Sequence, residues 1–131
     1  MTPELAEFLR SHKLAVLATG RRDGSPQVST MAYAFDGDQV VMSVTTDRAK
    51  WPNVGRQPRV GMVVNEGRQQ LVLYGTAERV ADDPERLQLT KQVREALGRP
   101  ADEDDATIAA QLDRDKRVIL RITPDTVFMN E

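Results

Sequence analysis

The stretch Thr45-Thr46-Asp47-Arg48-Ala49-Lys50 places two hydroxyls and two cations within a few residues. It falls where a strand pattern hands over to a short helical or turn-like segment, Asp47 to Gln57. Hydroxyls, a guanidinium, an ammonium and free N–H groups at a helix start are the groups that hold a phosphate. Taken alone the signal is weak. Arg48 and Lys50 read more simply as solvated charges, and Thr46 or Asp47 as a plain helix N-cap. Little else offers chemistry by itself. The single histidine, His12, ends the first helical pattern, and no Gly-x-Ser-x-Gly elbow provides a serine for it. It reads as a helix-end residue. The chain has no cysteine, which removes disulfides, thiolate metal sites and a cysteine nucleophile. The acidic run at 102–105 lacks the alternation and closing glutamate of a calcium loop. No Walker or dinucleotide glycine fingerprint is present, and no metal site is expected. An enzyme made this way needs a cofactor to carry its reaction.

The elements that must position these residues follow from pattern. Thr2-Pro3 is an N-cap followed by proline, and Leu5, Phe8 and Leu9 recur at helical spacing, so residues 3–12 are expected to be a short helix. Leu14 to Thr19 reads as a buried strand. A turn at 21–26 carries Asp23-Gly24, a strong hairpin signal. Gln27 to Phe35 alternates as a second strand, with Val28, Thr30, Ala32 and Ala34 on one face and Gln27, Ser29, Met31, Tyr33 and Phe35 on the other. Asp36-Gly37-Asp38 turns the chain into Gln39 to Thr45. Arg59 to Asn65 and Gln69 to Val80 are further strands. Gly75, midway in the latter, marks a bulge or a close backbone approach. Residues 84–98 read as a helix opened by Pro84 and closed by Gly98. Residues 99–105 read as a solvated charged linker, 106–113 as a second short helix, and 117–123 and 125–129 as two closing strands. Short strands joined by tight turns predict a mostly β fold: a six- or seven-stranded antiparallel split β-barrel with a few short helices, in one domain over 1–131.

Composition narrows the partners. With 18 basic and 20 acidic residues the formal net charge is −2, without the basic surplus of a nucleic-acid binder. No apolar run approaches the roughly 20 residues that span a bilayer. Met1-Thr2-Pro3-Glu4 is acidic where a signal peptide is basic. A cytoplasmic protein with neither nucleic-acid nor membrane partner is expected. The strand 39–45 is apolar on both faces, with Val40, Met42 and Val44 on one and Val41 with Ser43 on the other. That pattern points to a second buried surface, such as a large subunit interface.

The order of several short motifs resembles a known superfamily. They are Leu14 to Thr19, Asp23-Gly24-Ser25-Pro26-Gln27-Val28, Phe35-Asp36-Gly37-Asp38, Arg48-Ala49-Lys50, Asn53-Val54, Gln57-Pro58-Arg59-Val60 and Tyr74-Gly75-Thr76-Ala77. Together, over roughly residues 5–128, they resemble the pyridoxamine 5′-phosphate oxidase-like, FMN-binding split barrels. The likeness is to the actinobacterial branch that uses the deazaflavin coenzyme F-420. The resemblance implies a homodimer with a cofactor in each of two interface grooves. By position, Lys50 and Arg48 hold the cofactor phosphate and Thr45 and Thr46 add hydroxyl contacts. Gln27, Ser29, Thr30 and Met31 run beside the ring, and Arg56 meets the phosphate or the acidic tail. Gln69, Gln70 and Leu71 approach from the partner subunit. Arg48, Lys50, Arg56 and Arg59 form a basic exit path for the tail.

The implied activity is hydride transfer from reduced F-420 to a small organic substrate. An FMN-dependent oxidoreductase of the same fold, or a cofactor-binding protein without turnover, are the alternatives. No side chain is a convincing catalytic acid; Tyr33 and Tyr74 are the available phenols, both also suited to a core. The sequence departs from the family pattern at Trp51-Pro52, where a proline sits inside the expected helix. Trp51 is read as a packing residue. The ending Phe128-Met129-Asn130-Glu131 lacks the arginine-bearing terminus of true pyridoxamine phosphate oxidases.

Overall fold

Helix α1 (Pro3–Ser11) begins as its first residues dictate. Thr2 caps it, its Oγ1 accepting the Leu5 amide at 3.3 Å, and Pro3 takes the first helical position, where no N–H is needed. The rest of the computed structural model, which describes residues 1–130, is one seven-stranded antiparallel sheet with three more helices. The strands are β1 (Leu14–Gly20), β2 (Pro26–Ala32), β3 (Ala34–Phe35), β4 (Val40–Thr45), β5 (Arg59–Glu66), β6 (Gln69–Val80) and β7 (Arg117–Asn130). The helices are α2 (Lys50–Arg56), α3 (Glu85–Ala96) and α4 (Asp105–Arg114).

The strand order is β2-β1-β5-β6-β7-β4-β3. The two edge strands, β2 and β3, are consecutive in the chain and separated by Tyr33 alone. The sheet therefore has to curl until its edges meet, while no ladder joins them. That is a barrel split along the β2 edge. Tyr33 makes the corner. Its amide donates to Lys13 O at 2.9 Å, and its buried hydroxyl donates to Leu9 O at 2.6 Å, under α1. The single strand expected over 27–35 is broken there for this reason.

The two closing strands are in fact one. β7 runs through Pro124 without interruption, and Gly75 explains how. Opposite Gly75 stands Pro124, and opposite Tyr74 stands Thr126, so Asp125 is the extra, bulged residue. A Cβ on Gly75 would lie 2.4 Å from the Thr123 carbonyl oxygen. The glycine is the close approach its position in the strand suggested.

The barrel interior is filled from alternate positions of every long strand, including Leu17, Met42, Met62, Leu71, Leu73 and Leu120, with Leu9 of α1 closing one end. A second apolar cluster lies outside the barrel, where Val41 and Ile119 meet Val93 of α3. This corrects the reading of β4: its second apolar face is covered by the chain's own helix, not by another subunit. A third cluster, Leu87 with Ile108 and Leu112, joins α3 to α4. The segment 99–105 is not simply solvated. Ala101 packs on this third cluster, Asp104 caps α4 by accepting the Thr107 amide at 2.8 Å, and Asp105 pairs with Lys91. No helix among the described residues is long and apolar enough to cross a membrane.

Candidate functional site

The split of the barrel is where most of the marked residues converge. α2 crosses it, carrying Lys50 as its first residue. Its Nζ donates to the Ser29 hydroxyl of β2 at 2.9 Å. Lys50 is only 9% exposed, and it forms no ion pair among the described residues. An ammonium has three donors, so a single hydroxyl leaves it under-satisfied. Burial lowers its pKa, and the neighbouring Arg48 cation pushes it further the same way. Lys50 itself has no carboxylate partner among the described residues, so an anion would complete its surroundings.

A second string of bonds ties α2 to the same strands. Arg56 donates to the Asn53 side-chain oxygen at 2.9 Å and to Gly20 O at 3.0 Å. Asn53 donates to Thr19 Oγ1, and Thr19 to the Gln27 side-chain oxygen, both at 3.1 Å. Thr19 and Asn53 are buried polar residues that the sequence reading left without a role. Asn53 stood in a quoted motif, and a polar residue inside an apolar helix face was the available signal. The network leaves the Gln27 amide nitrogen and two Lys50 protons for a ligand.

The handover from β4 to α2 differs from expectation. α2 has Ala49 at its N-cap with no side-chain cap bond, so neither Thr46 nor Asp47 caps it. Thr46 is exposed, and its amide donates to Lys116 O at 3.0 Å. The Thr45 hydroxyl is buried with no hydrogen-bond partner. Asp47 faces it closely enough for the hydroxyl to hold the carboxyl below its usual pKa, yet not in bonding geometry. The nearest partner for this hydroxyl is therefore the Asp47 carboxylate. Pro52 does no damage, because the first intrahelical bond is Asn53 N–H to Ala49 O at 3.0 Å and the proline precedes it. Trp51 packs on the barrel core with Arg79 over its ring, 5.0 Å from the centroid.

Not every marked residue is gathered here. Gln27, Ser29 and Met31 share the face toward α2 and the core, whereas Thr30 lies exposed on the opposite face of β2. Arg48 is exposed at the rim of the site. The basic exit path is shorter than the sequence suggests, because Arg59 is paired with Asp125 and Arg56 is held by Asn53 and Gly20. Leu71 is fully buried in its own barrel, so its side chain is not available to a partner, while Gln69 and Gln70 are exposed. Tyr33 is removed as an acid: burial pushes its pKa up and its hydroxyl is committed to Leu9. Tyr74 stands on the outer face beside Phe128, ring centroids 6.4 Å apart. His12 is structural, stacked on Phe8 and bonded to Phe8 O at 2.6 Å and to Glu66 at 2.8 Å.

With this geometry, the likeness to solved structures is informative. The conserved hypothetical protein Rv2991 from Mycobacterium tuberculosis superposes with a TM-score of 0.82 at 26% identity, over 98% of this chain and 84% of that one. An F420 reductase matches with a TM-score of 0.73 at 30% identity, over 97% of this chain and 98% of that one. HutZ, the heme storage protein from Vibrio cholerae, shares the fold with a TM-score of 0.74 at 21% identity, over 96% and 92%. A family model described as pyridoxamine 5′-phosphate oxidase matches residues 1–131. The split barrel and these matches agree: the chain belongs to the pyridoxamine 5′-phosphate oxidase family, whose fold binds flavin-type cofactors.

Proposed function

We propose that this chain is a homodimeric oxidoreductase that binds the deazaflavin coenzyme F-420 in the groove at the β2–α2 seam and reduces a small organic substrate. One observation carries the reading: the Lys50 ammonium is buried, bonded only to the Ser29 hydroxyl and in no ion pair among the described residues, with the Arg48 cation as its charged neighbour. A phosphate would supply the missing counter-charge and accept the remaining ammonium protons. The 30% identical F420 reductase, matched over nearly its whole length, favours the deazaflavin over FMN.

When bound, the cofactor supplies the hydride. The chain's residues bind and orient it. Lys50 and Arg48 neutralise the phosphate, Ser29 fixes the Lys50 ammonium, and Gln27 presents its free amide nitrogen along β2. The partner subunit would seat on the outer face, where Leu14, Val28, Tyr74 and Phe128 are 60%, 61%, 46% and 41% exposed. The register makes that surface continuous, since Ala18 pairs with Val28 and with Gly61, Gly61 with Tyr74, and Val72 with Phe128. Apolar patches of this kind mark subunit interfaces.

The test is a titration of the purified chain with F-420 and with FMN at two ionic strengths, alongside sedimentation at micromolar concentration. The expected result is a dimer that binds F-420 more tightly, with the greater salt dependence for F-420 because of its anionic tail. Tighter binding of FMN at both ionic strengths would overturn the deazaflavin assignment. A monomer mass would overturn the homodimer.

A further inference from the structure

A cleft of about 460 Å³ lies on the other side of β4, between α3, the 99–105 segment and the start of β7. That is the size range of small-molecule sites. It contains none of the residues that hold Lys50. Three arginines from three different elements line it: Arg94 of α3, Arg99 of the connecting segment and Arg117 of β7. None of the three side chains forms an ion pair among the described residues.

The placement of the first two is built by the helix end. Gly98 has φ +73°, the left-handed conformation that glycine takes without penalty. It folds the chain back so that the Arg99 amide donates to Arg94 O at 2.8 Å and the Gly98 amide to Glu95 O at 3.0 Å. This is a full Schellman motif, and it sets Arg99 beside Arg94. It also satisfies the last carbonyls of α3, so the Arg94 side chain is not needed as a helix cap. Arg117 is fixed from the other side, its carbonyl accepting from Arg86 at 3.3 Å while its own guanidinium stays uncommitted.

We infer that this cleft is a binding site for a small organic carboxylate with an apolar body. Guanidinium forks match a carboxylate in geometry and charge. Leu97, Pro100 and Ala101 supply a small apolar wall for the rest of the molecule. Glu103 and Asp115 also line the cleft, so the three arginines leave a surplus of one positive charge. That surplus suits a monoanion and disfavours a phosphate dianion. The site is independent of the cofactor reading.

The experiment is an amide NMR titration of the full chain with benzoate, with neutral benzamide and with inorganic phosphate. Saturable benzoate shifts are expected at residues 94, 99 and 117, with benzamide at least about tenfold weaker, as the loss of one charge-assisted bond implies. R94Q/R99Q should weaken benzoate at least about tenfold and leave F-420 binding unchanged. R117Q, tested separately, should act in the same direction, and K50M should leave benzoate affinity unchanged. The inference is overturned by equal binding of benzamide, by tighter binding of phosphate to the same residues, by benzoate shifts insensitive to all three arginine substitutions, or by the absence of saturation. Failure of F-420 binding with benzoate binding intact would indict only the cofactor reading.

Discussion

Lys50→Met separates a structural lysine from a ligand-binding one. The substitution keeps an unbranched side chain of similar length and removes the charge. In the free protein the ammonium makes one bond, to Ser29, and faces the Arg48 cation instead of a carboxylate. Losing a hydrogen bond to a charged group costs about 1.5–3 kcal/mol. Releasing a poorly compensated buried charge returns a comparable or larger amount. The free protein should therefore lose little stability or gain about 1 kcal/mol, a rise in Tm of roughly 3–5 °C for a domain of this size. The pH dependence gives a second reading. A lysine whose folded pKa is depressed disfavours the fold at pH values where both states are charged. That penalty disappears as pH rises from the folded pKa to the unfolded value near 10.5. Wild type should gain stability through that alkaline window, and K50M should not. Cofactor binding should move oppositely, weakening by about 1.5–3 kcal/mol, or roughly 10- to 150-fold. Thermal unfolding and fluorescence titration of F-420 measure the two effects. A K50M protein that is destabilised by more than about 2 kcal/mol and binds F-420 as wild type does would show that Lys50 is a strut, and the argument from its missing counter-charge would fail.

Two further substitutions test the frame around the site. Gly75→Ala puts a methyl group 2.4 Å from a backbone oxygen that cannot swing away; urea unfolding should show a loss of about 2–3 kcal/mol, and a neutral effect would mean the bulge is soft. Arg86→Met removes a buried guanidinium that bonds Asp83 at 2.8 Å, Asp113 at 2.9 Å and Arg117 O, and should cost about 1.5–3 kcal/mol at pH 7. The Arg86 hydrogen bond is the main reason the Asp83 carboxyl sits below its ordinary range. A depressed folded pKa gives stability that is complete above the unfolded value near 4 and lost as pH falls through the folded one. The gap between wild type and the variant should therefore close below about pH 4, and a gap of constant size would assign the loss to packing alone.

Much of the fold was legible because it rests on local rules. Thr2-Pro3 opens α1, the Asp-Gly and Glu-Gly turns separate strands, and Gly75 stands at the bulge. What was not legible depends on partners distant in sequence. Pro124 looked like a break between strands, but the bulge at Gly75 lets β7 pass it. The second face of β4 looked like a subunit interface, because nothing in residues 39–45 announces that α3 will cover it. The exposed apolar residues Leu14, Val28, Tyr74 and Phe128 lie instead on β1, β2, β6 and β7, and only the strand register brings them onto one surface. In the candidate site, Lys50 was marked by type and Ser29 and Gln27 by the family resemblance; the structure sets Ser29 against the Lys50 ammonium and Gln27 against Thr19. Thr19 and Asn53 were missed because a buried hydrogen-bond relay is a property of tertiary contact. Arg59 was marked as a tail contact, and its pairing with Asp125 across the bulge is equally invisible in sequence.

The way α2 is held explains why its first residue remains unsatisfied. A seven-residue helix is too short to be stable by itself, and this one has no side-chain cap. Besides the Arg56–Asn53–Thr19 bonds to β1, its anchoring comes from the opposite side. Val54 and Trp51 pack on the barrel core, and the Arg79 guanidinium stacks on Trp51 and lies over Gly55, where a Cβ would stand 2.5 Å from Arg79 Cζ. Gly55 is thus the space in which Arg79 rests, and Arg79 is the clasp that fixes the helix to β6. With the helix secured there and through Asn53 and Arg56, its first turn is freed from a stabilising duty. Lys50 can keep unmet hydrogen-bonding capacity, which a sequence selected for stability alone would have filled with a carboxylate.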